Sequence, residues 1–359
     1  MRLPIIGSVT IVVPPAAASA APPAQPAAPL WRRVLTSPCL LLSLTSFLWA
    51  LNWVLARDVR HEIGPNGMAL GRWAVALIII LPLAWRQVQR DWPQIKRDAG
   101  VLLLLSLSGA GGYNALSYAG VAITTSLNAM LLNATVPFFI MGLSWLLLKQ
   151  RLSWRQGAGL GLSFLGALWI IGEGDLARLA ALQFNRGDLI VLGAMLSWSL
   201  YTIIVKRHPI TIHLFSFVAV LAVTAVLTLL PFAAFEAISR PPQWSPKVCA
   251  VLLYMGIGPS ILCYVWWNRG IVTIGPARTG LFLYLVPVFG SVLSSVVLGE
   301  HLALFHVVGF ALVLIGLAVS NRGGDGNSGG HNSANNSANN SGSGISSGNR
   351  STARAKAHD

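Results

Sequence analysis

The residues able to do chemistry in this chain are amides, hydroxyls and aromatic rings set at helical spacing. Thr45, Trp49 and Asn52 fall at i, i+4 and i+7, which places them on one face of a helix. Trp198 and Tyr201 share such a face, as do Tyr113 and Ser117. So do Thr125, Asn128 and Thr135; Ser260, Tyr264 and Trp267; and Tyr284, Pro287 and Ser291. Groups of this kind recognise a solute without breaking its bonds. Covalent or metal chemistry would need a nucleophile–base pair or a ligand set. The helix interiors offer no carboxylate pair, and His208, His213, His301 and His306 fall at or near helix ends. No catalytic residue, metal ligand or cofactor is expected. A single polar face could be glue between helices, worth roughly 0.6 kcal/mol per hydrogen bond. Faces on six helices point instead to a shared cavity. Its candidate substrate-binding residues are Trp49, Asn52, Tyr113, Asn128, Trp198, Tyr201, Tyr264, Trp267 and Tyr284.

The elements that carry these faces must live in lipid. Hydrophobic residues make up 54% of the 359 positions and charged residues only 10%, against roughly 25% charged in a soluble domain. The net charge of +14 does not imply nucleic acid, because the basic residues sit between apolar segments. Those segments cover approximately 37–57, 68–86, 100–119, 124–148, 156–172, 188–205, 213–235, 247–268, 275–298 and 303–320. Ten stretches near the length needed to cross a bilayer predict an all-α membrane protein of ten transmembrane helices. Residues 1–36, rich in Pro and Ala, and 323–359, rich in Gly, Ser and Asn, are expected to be disordered tails. Cys39, Cys249 and Cys263 all lie in apolar runs, with no metal spacing, and read as small buried hydrophobes.

Loop charges set the orientation. With the N-terminus inside, 18 Lys and Arg fall on inner segments and 6 on outer loops. Both termini are therefore expected in the cytoplasm of a bacterial inner membrane. Trp31, Trp85, Trp92, Trp154 and Trp244 lie near segment ends and read as interface anchors.

The chain repeats itself. A shift of 150 brings Gly120 onto Gly270, Val136-Pro137 onto Val286-Pro287, Gly159 onto Gly309 and Gly166 onto Gly316. A shift of 149 brings Trp49 onto Trp198 and Arg57 onto Lys206. Two five-helix repeats, 37–172 and 188–321, follow. Five is odd, so the second repeat enters the membrane in the opposite sense, an arrangement found in transporters with a site near the midplane.

Several stretches resemble the drug/metabolite transporter superfamily, in particular its EamA-type ten-helix members. They are "FLWALNWVLAR", Arg72 early in the second helix, "TTSLNAMLLNATVPFF", "RGDLIVLGAMLSWSLYTIIVKR", "TGLFLYLVPVFGSVLSSVVLGEHL" and "GFALVLIGL". The resemblance spans about residues 37–321 and implies movement of small metabolites across a membrane. Where that family usually carries Gly-Glu after the fourth helix, this chain has Lys149-Gln150, so no role for that carboxylate carries over.

Some residues keep two readings. Pro137 and Pro287 are either static kinks or hinges that open carbonyls to the cavity. Glu300 is either a solvated helix-end charge or a gating carboxylate. Arg72, placed one turn into the second helix, is expected to snorkel to the outer headgroups, with contact to the substrate as the second reading, which the family resemblance keeps open. Gly157, Gly159, Gly161 and Gly166 form a small-residue face expected to pack closely on another helix.

The function expected is alternating-access transport, in the export direction, of a small neutral or zwitterionic solute such as an amino acid. The partners are the solute and the lipid bilayer, not nucleic acid. Efflux of drug-like compounds is the alternative within the superfamily. An intramembrane enzyme or a non-transporting sensor is the alternative outside it.

Overall fold

The computed structural model describes residues 37–121, 123–124, 126–150, 153–175, 177, 180–181, 185–208, 211–298 and 303–322. Among the described residues, ten helical units follow one another, the first five being α1 (Pro38–Asp58), α2 (Pro65–Arg97), α3 (Ala99–Gly109 and Gly111–Val121), α4 (Ser126–Asn133 and Val136–Leu148) and α5 (Trp154–Ile171). The second half runs α6 (Arg186–Arg207), α7 (Leu214–Ser239), α8 (Pro246–Met255, Gly256–Leu262 and Cys263–Ile274), α9 (Pro276–Leu281, Phe282–Tyr284 and Leu285–Leu298) and α10 (Leu304–Arg322). Among the described residues, seven helices are long and apolar enough to cross a membrane, and shorter apolar helices complete α4 and α10.

Helix starts follow local chemistry. Pro38, Pro65 and Pro246 sit in first turns, where a missing N–H costs nothing. Ser153 with Gln156, and Asn185 with Asp188, form capping boxes at α5 and α6. α2 is longer than its apolar run. It starts at Pro65 and carries 33 residues to Arg97, about 50 Å at 1.5 Å per residue against roughly 30 Å of hydrocarbon. Its polar end is used: Asp91 accepts a hydrogen bond from the backbone N–H of His213, 2.8 Å away, at the start of α7.

The two repeats interleave. α1 packs on α8 and α9, and α6 packs in the same way on α3 and α4. α2 meets α7 and α8, while α7 meets α2 and α3, and α5 lies against α10. Exchanging the repeats maps each of these pairs onto another pair of the set, or onto itself. Single residues obey the same exchange. A Cβ on Gly120 would meet Val191, and one on Gly270 would meet Leu42; Val191 and Leu42 are 149 apart. Gly159 faces the Gly316 backbone carbonyl and Gly166 faces that of Gly309, so a methyl at Gly159 would lie 2.5 Å from an oxygen. The small-residue face is thus real only at Gly159 and Gly166. Gly157 and Gly161 have open space around them, because they lie on the opposite side of α5.

The buried faces of α2 and α7 also match at a shift of 149. Met68, Ala69, Arg72, Trp73, Ala76, Ile80 and Ala84 correspond to Phe217, Val218, Leu221, Ala222, Ala225, Leu229 and Ala233, and every member of both sets is buried. Trp85, Trp92, Trp154 and Trp244 are exposed, as interface anchors should be; Trp31 lies outside the described residues. Cys263 is buried, whereas Cys39 and Cys249 are on the outer surface of the bundle, where lipid rather than protein covers an apolar segment.

Candidate functional site

Four helix breaks surround the centre. α3 is interrupted at Ala110 (φ −126, ψ −69). α8 widens into a π-helical stretch over Gly256–Leu262 that accommodates Pro259. The two breaks are related by the repeat, since 106–112 shifted by 150 gives 256–262. α4 and α9 break just before their prolines. Pro137 falls in the first turn of Val136–Leu148, and Pro287 in that of Leu285–Leu298. Pro137 thus opens a helical segment after a turn at Ala134–Thr135, whereas in α9 the 3-10 turn Phe282–Tyr284 joins the two α segments without leaving the helical run.

The carbonyls near these breaks find partners from the other repeat. Tyr264 donates its hydroxyl to the Gly109 carbonyl at 2.5 Å. Tyr284 donates to the Ala134 carbonyl at 3.2 Å, and Ser46 to that of Phe282 at 2.7 Å. In lipid a broken helix survives only with such substitutes.

Between the breaks lies a cluster of rings. Trp198 of α6 is central: its ring centroid is 5.6 Å from Trp49, 5.3 Å from Tyr113, 5.2 Å from Tyr201, and 5.6 Å from both Tyr264 and Trp267. Trp49 also lies 5.3 Å from Trp267, and Trp73 lies 5.1 Å from Tyr264. Gly109 lets Tyr201 in, since a Cβ there would stand 2.3 Å from the ring. In the cluster, Trp198, Tyr201, Tyr264 and Trp267 are buried, and Trp49 and Tyr113 are half-buried. Its polar edge is Asn268, fully buried, which exchanges hydrogen bonds with the Tyr201 hydroxyl at 2.8 and 2.9 Å and donates to the Tyr264 carbonyl at 2.7 Å.

The structure thus brings together Trp49, Tyr113, Trp198, Tyr201, Tyr264 and Trp267. Asn52 lies one turn along α1 from Trp49, with its Oδ1 buried and without a partner. Asn128 is engaged elsewhere: its amide donates to both carboxylate oxygens of Asp188 at 3.0 Å, at the start of α6. Tyr284 is held at the α4 break. Glu300 lies outside the described residues.

Two neighbours of the cluster escape a reading of periodicity. Asn268 sits four residues after Tyr264, a spacing that could have revealed it. Arg72 was expected at the headgroups. It is instead 8% exposed, because α2 begins at Pro65 and carries it two turns inward, among α7 and α8. Among the described residues, no group of three or more His, Cys, Asp or Glu is placed to hold a metal ion.

Two interleaved inverted repeats, with broken helices around a buried aromatic centre, define an all-α, multi-pass membrane transporter. The chain belongs to the EamA-like transporter family, whose model matches residues 36–172 and 185–322. It is 28% identical over 287 residues to the uncharacterized transporter YyaM of Bacillus subtilis (strain 168), covering 79% of this chain and 92% of that one. It is also 28% identical over 290 residues to a probable terminal-alkyne amino-acid exporter of Streptantibioticus cattleyicolor, covering 78% and 92%. A crystal structure at 20% identity shares the fold with a TM-score of 0.63, over 79% of this chain and 96% of that chain. The protein is a transporter and not an enzyme.

Proposed function

We propose that this protein exports a small amphipathic zwitterion, with amino acids and their derivatives as the solute class. The two repeats would rock about the aromatic centre in alternating access. The observation that carries this reading is the meeting of Trp49 and Trp198, equivalent residues of the two repeats, beside the mirrored breaks of α3 and α8. A site on the pseudo-two-fold axis is the point that both repeats can close upon from either side. Aromatic walls suit the apolar part of such a solute. The name of the Streptantibioticus relative supports the solute class and the direction. The excess of Lys and Arg on one set of loops supports cytoplasmic termini in a bacterial inner membrane.

Flux of radiolabelled solutes into proteoliposomes tests the proposal. Saturable movement of amino acids or amphipathic derivatives is expected. Movement of a nucleotide sugar or a polyamine, with none of the amphipathic solutes, would contradict it.

A further inference from the structure

Among the described residues, the guanidinium of Arg72 has no anionic partner. The residue is 8% exposed, its Nε is buried without a hydrogen-bond partner, and no ion pair or hydrogen bond from its side chain is present among the described residues. Arginine stays protonated in proteins. A buried, unpaired cation is therefore costly, and in a membrane-spanning helix it marks a functional position by default. The ring of Trp73, 5.5 Å from the guanidinium carbon, offsets part of that cost but satisfies none of its N–H donors.

The fold itself does not require this charge. Seven buried positions of α2 fall on buried positions of α7 at a shift of 149, and at the position of Arg72 the second repeat places Leu221, fully buried. An aliphatic side chain fills the same place in the same architecture. The charge also adjoins the aromatic centre. Its guanidinium carbon lies 5.5 Å from the ring of Trp73, and that ring lies 5.1 Å from the ring of Tyr264. Glu236, the acidic group of α7 nearest the start of α2, is occupied. It accepts from the backbone N–H of Gly67 at 2.8 Å and from the Asn66 amide at 3.3 Å.

We infer that Arg72 is the receptor for a carboxylate of the transported solute. This rests on the proposed transport of amphipathic zwitterions and narrows it to solutes that carry a carboxylate. A guanidinium presents two parallel N–H donors to the two oxygens of a carboxylate. The uncompensated charge is then neutralised when solute is bound. The site is one-sided, because the equivalent Leu221 cannot make the same contact. An ammonium group on the solute would lie against aromatic faces, which attract cations.

The test is binding to purified protein, read by tryptophan fluorescence, with three probes: phenylalanine, phenylalaninamide and hydrocinnamate. The amide lacks the carboxylate and hydrocinnamate lacks the ammonium. Wild type is expected to bind phenylalanine and hydrocinnamate about 10- to 100-fold more tightly than the amide, the range for a hydrogen bond between charged groups. Arg72→Leu is expected to abolish this preference and to keep or raise thermal stability, since it copies Leu221. Arg72→Lys is expected to retain part of it. Equal wild-type affinity for phenylalanine and its amide overturns the inference without any variant. So does a folded Arg72→Leu protein that keeps the preference, or a wild type that binds none of the three. Saturable flux of amphipathic solutes without a carboxylate would leave the transport proposal standing in each of these cases.

Discussion

Trp49 and Trp198 occupy equivalent positions in the two repeats, and their rings meet edge to face with centroids 5.6 Å apart and an interplanar angle of 79°. Residues related by a two-fold operation can touch only near its axis. The contact therefore marks where the pseudo-two-fold axis of the bundle passes. Chain duplication, an abstract property of the sequence, becomes at this point a physical junction between halves. The breaks at Ala110 and at Gly256–Leu262 flank it, so the backbone is least regular where the halves meet.

Packing across the α5–α10 contact is expected to be intolerant of any side chain. Gly159→Ala would place a methyl 2.5 Å from the Gly316 carbonyl, and that neighbour is backbone. A loss of about 1–3 kcal/mol is expected, visible as a lowered melting temperature in detergent. Gly157→Ala and Gly161→Ala, with open space around them, should leave the melting temperature unchanged or raise it, since alanine favours helix.

The helix break in α3 depends on one hydroxyl. Tyr264→Phe removes the donor to the Gly109 carbonyl and leaves a buried acceptor unpaired. The expected cost is about 1–3 kcal/mol, measured by thermal unfolding against Tyr284→Phe, which should lose a similar amount at the α4 break. Unchanged stability in both variants would show that these carbonyls find other partners.

The orientation of the bundle has its own test. Reporter fusions placed after Arg322 should be active only in the cytoplasm, and fusions between α9 and α10 only outside. Activity of the Arg322 fusion in the periplasm would reverse the topology that the loop charges predict.

Much of this was legible in the residues themselves. The apolar runs and the 149–150 shift are one-dimensional patterns that survive as geometry, and of the polar-aromatic faces the rings of Trp49, Tyr113, Trp198, Tyr201, Tyr264 and Trp267 come together. What periodicity does not specify is the partner. It put Asn128 on an inward face, but the group that uses that amide, Asp188, comes 60 residues later and turns it into a capping interaction. It likewise could not tell Gly159 and Gly166 from Gly157 and Gly161, because the sequence does not say which side of α5 meets α10. Arg72 shows a third limit. Its depth depends on where α2 begins, and Pro65 starts that helix three residues before its apolar run. The π turn in α8 escaped because Pro259 reads equally well as an ordinary kink.

The central claim is that the junction of Trp49 and Trp198 is the solute site, and counterflow of radiolabelled phenylalanine in proteoliposomes tests it most directly. Wild type should show saturable counterflow. Trp198→Ala protein that still elutes as a folded species should show kcat/KM lowered by about tenfold or more, equivalent to about 1.4 kcal/mol or more, with Trp198→Phe falling between the two. A folded Trp198→Ala protein with wild-type kinetics would contradict the account.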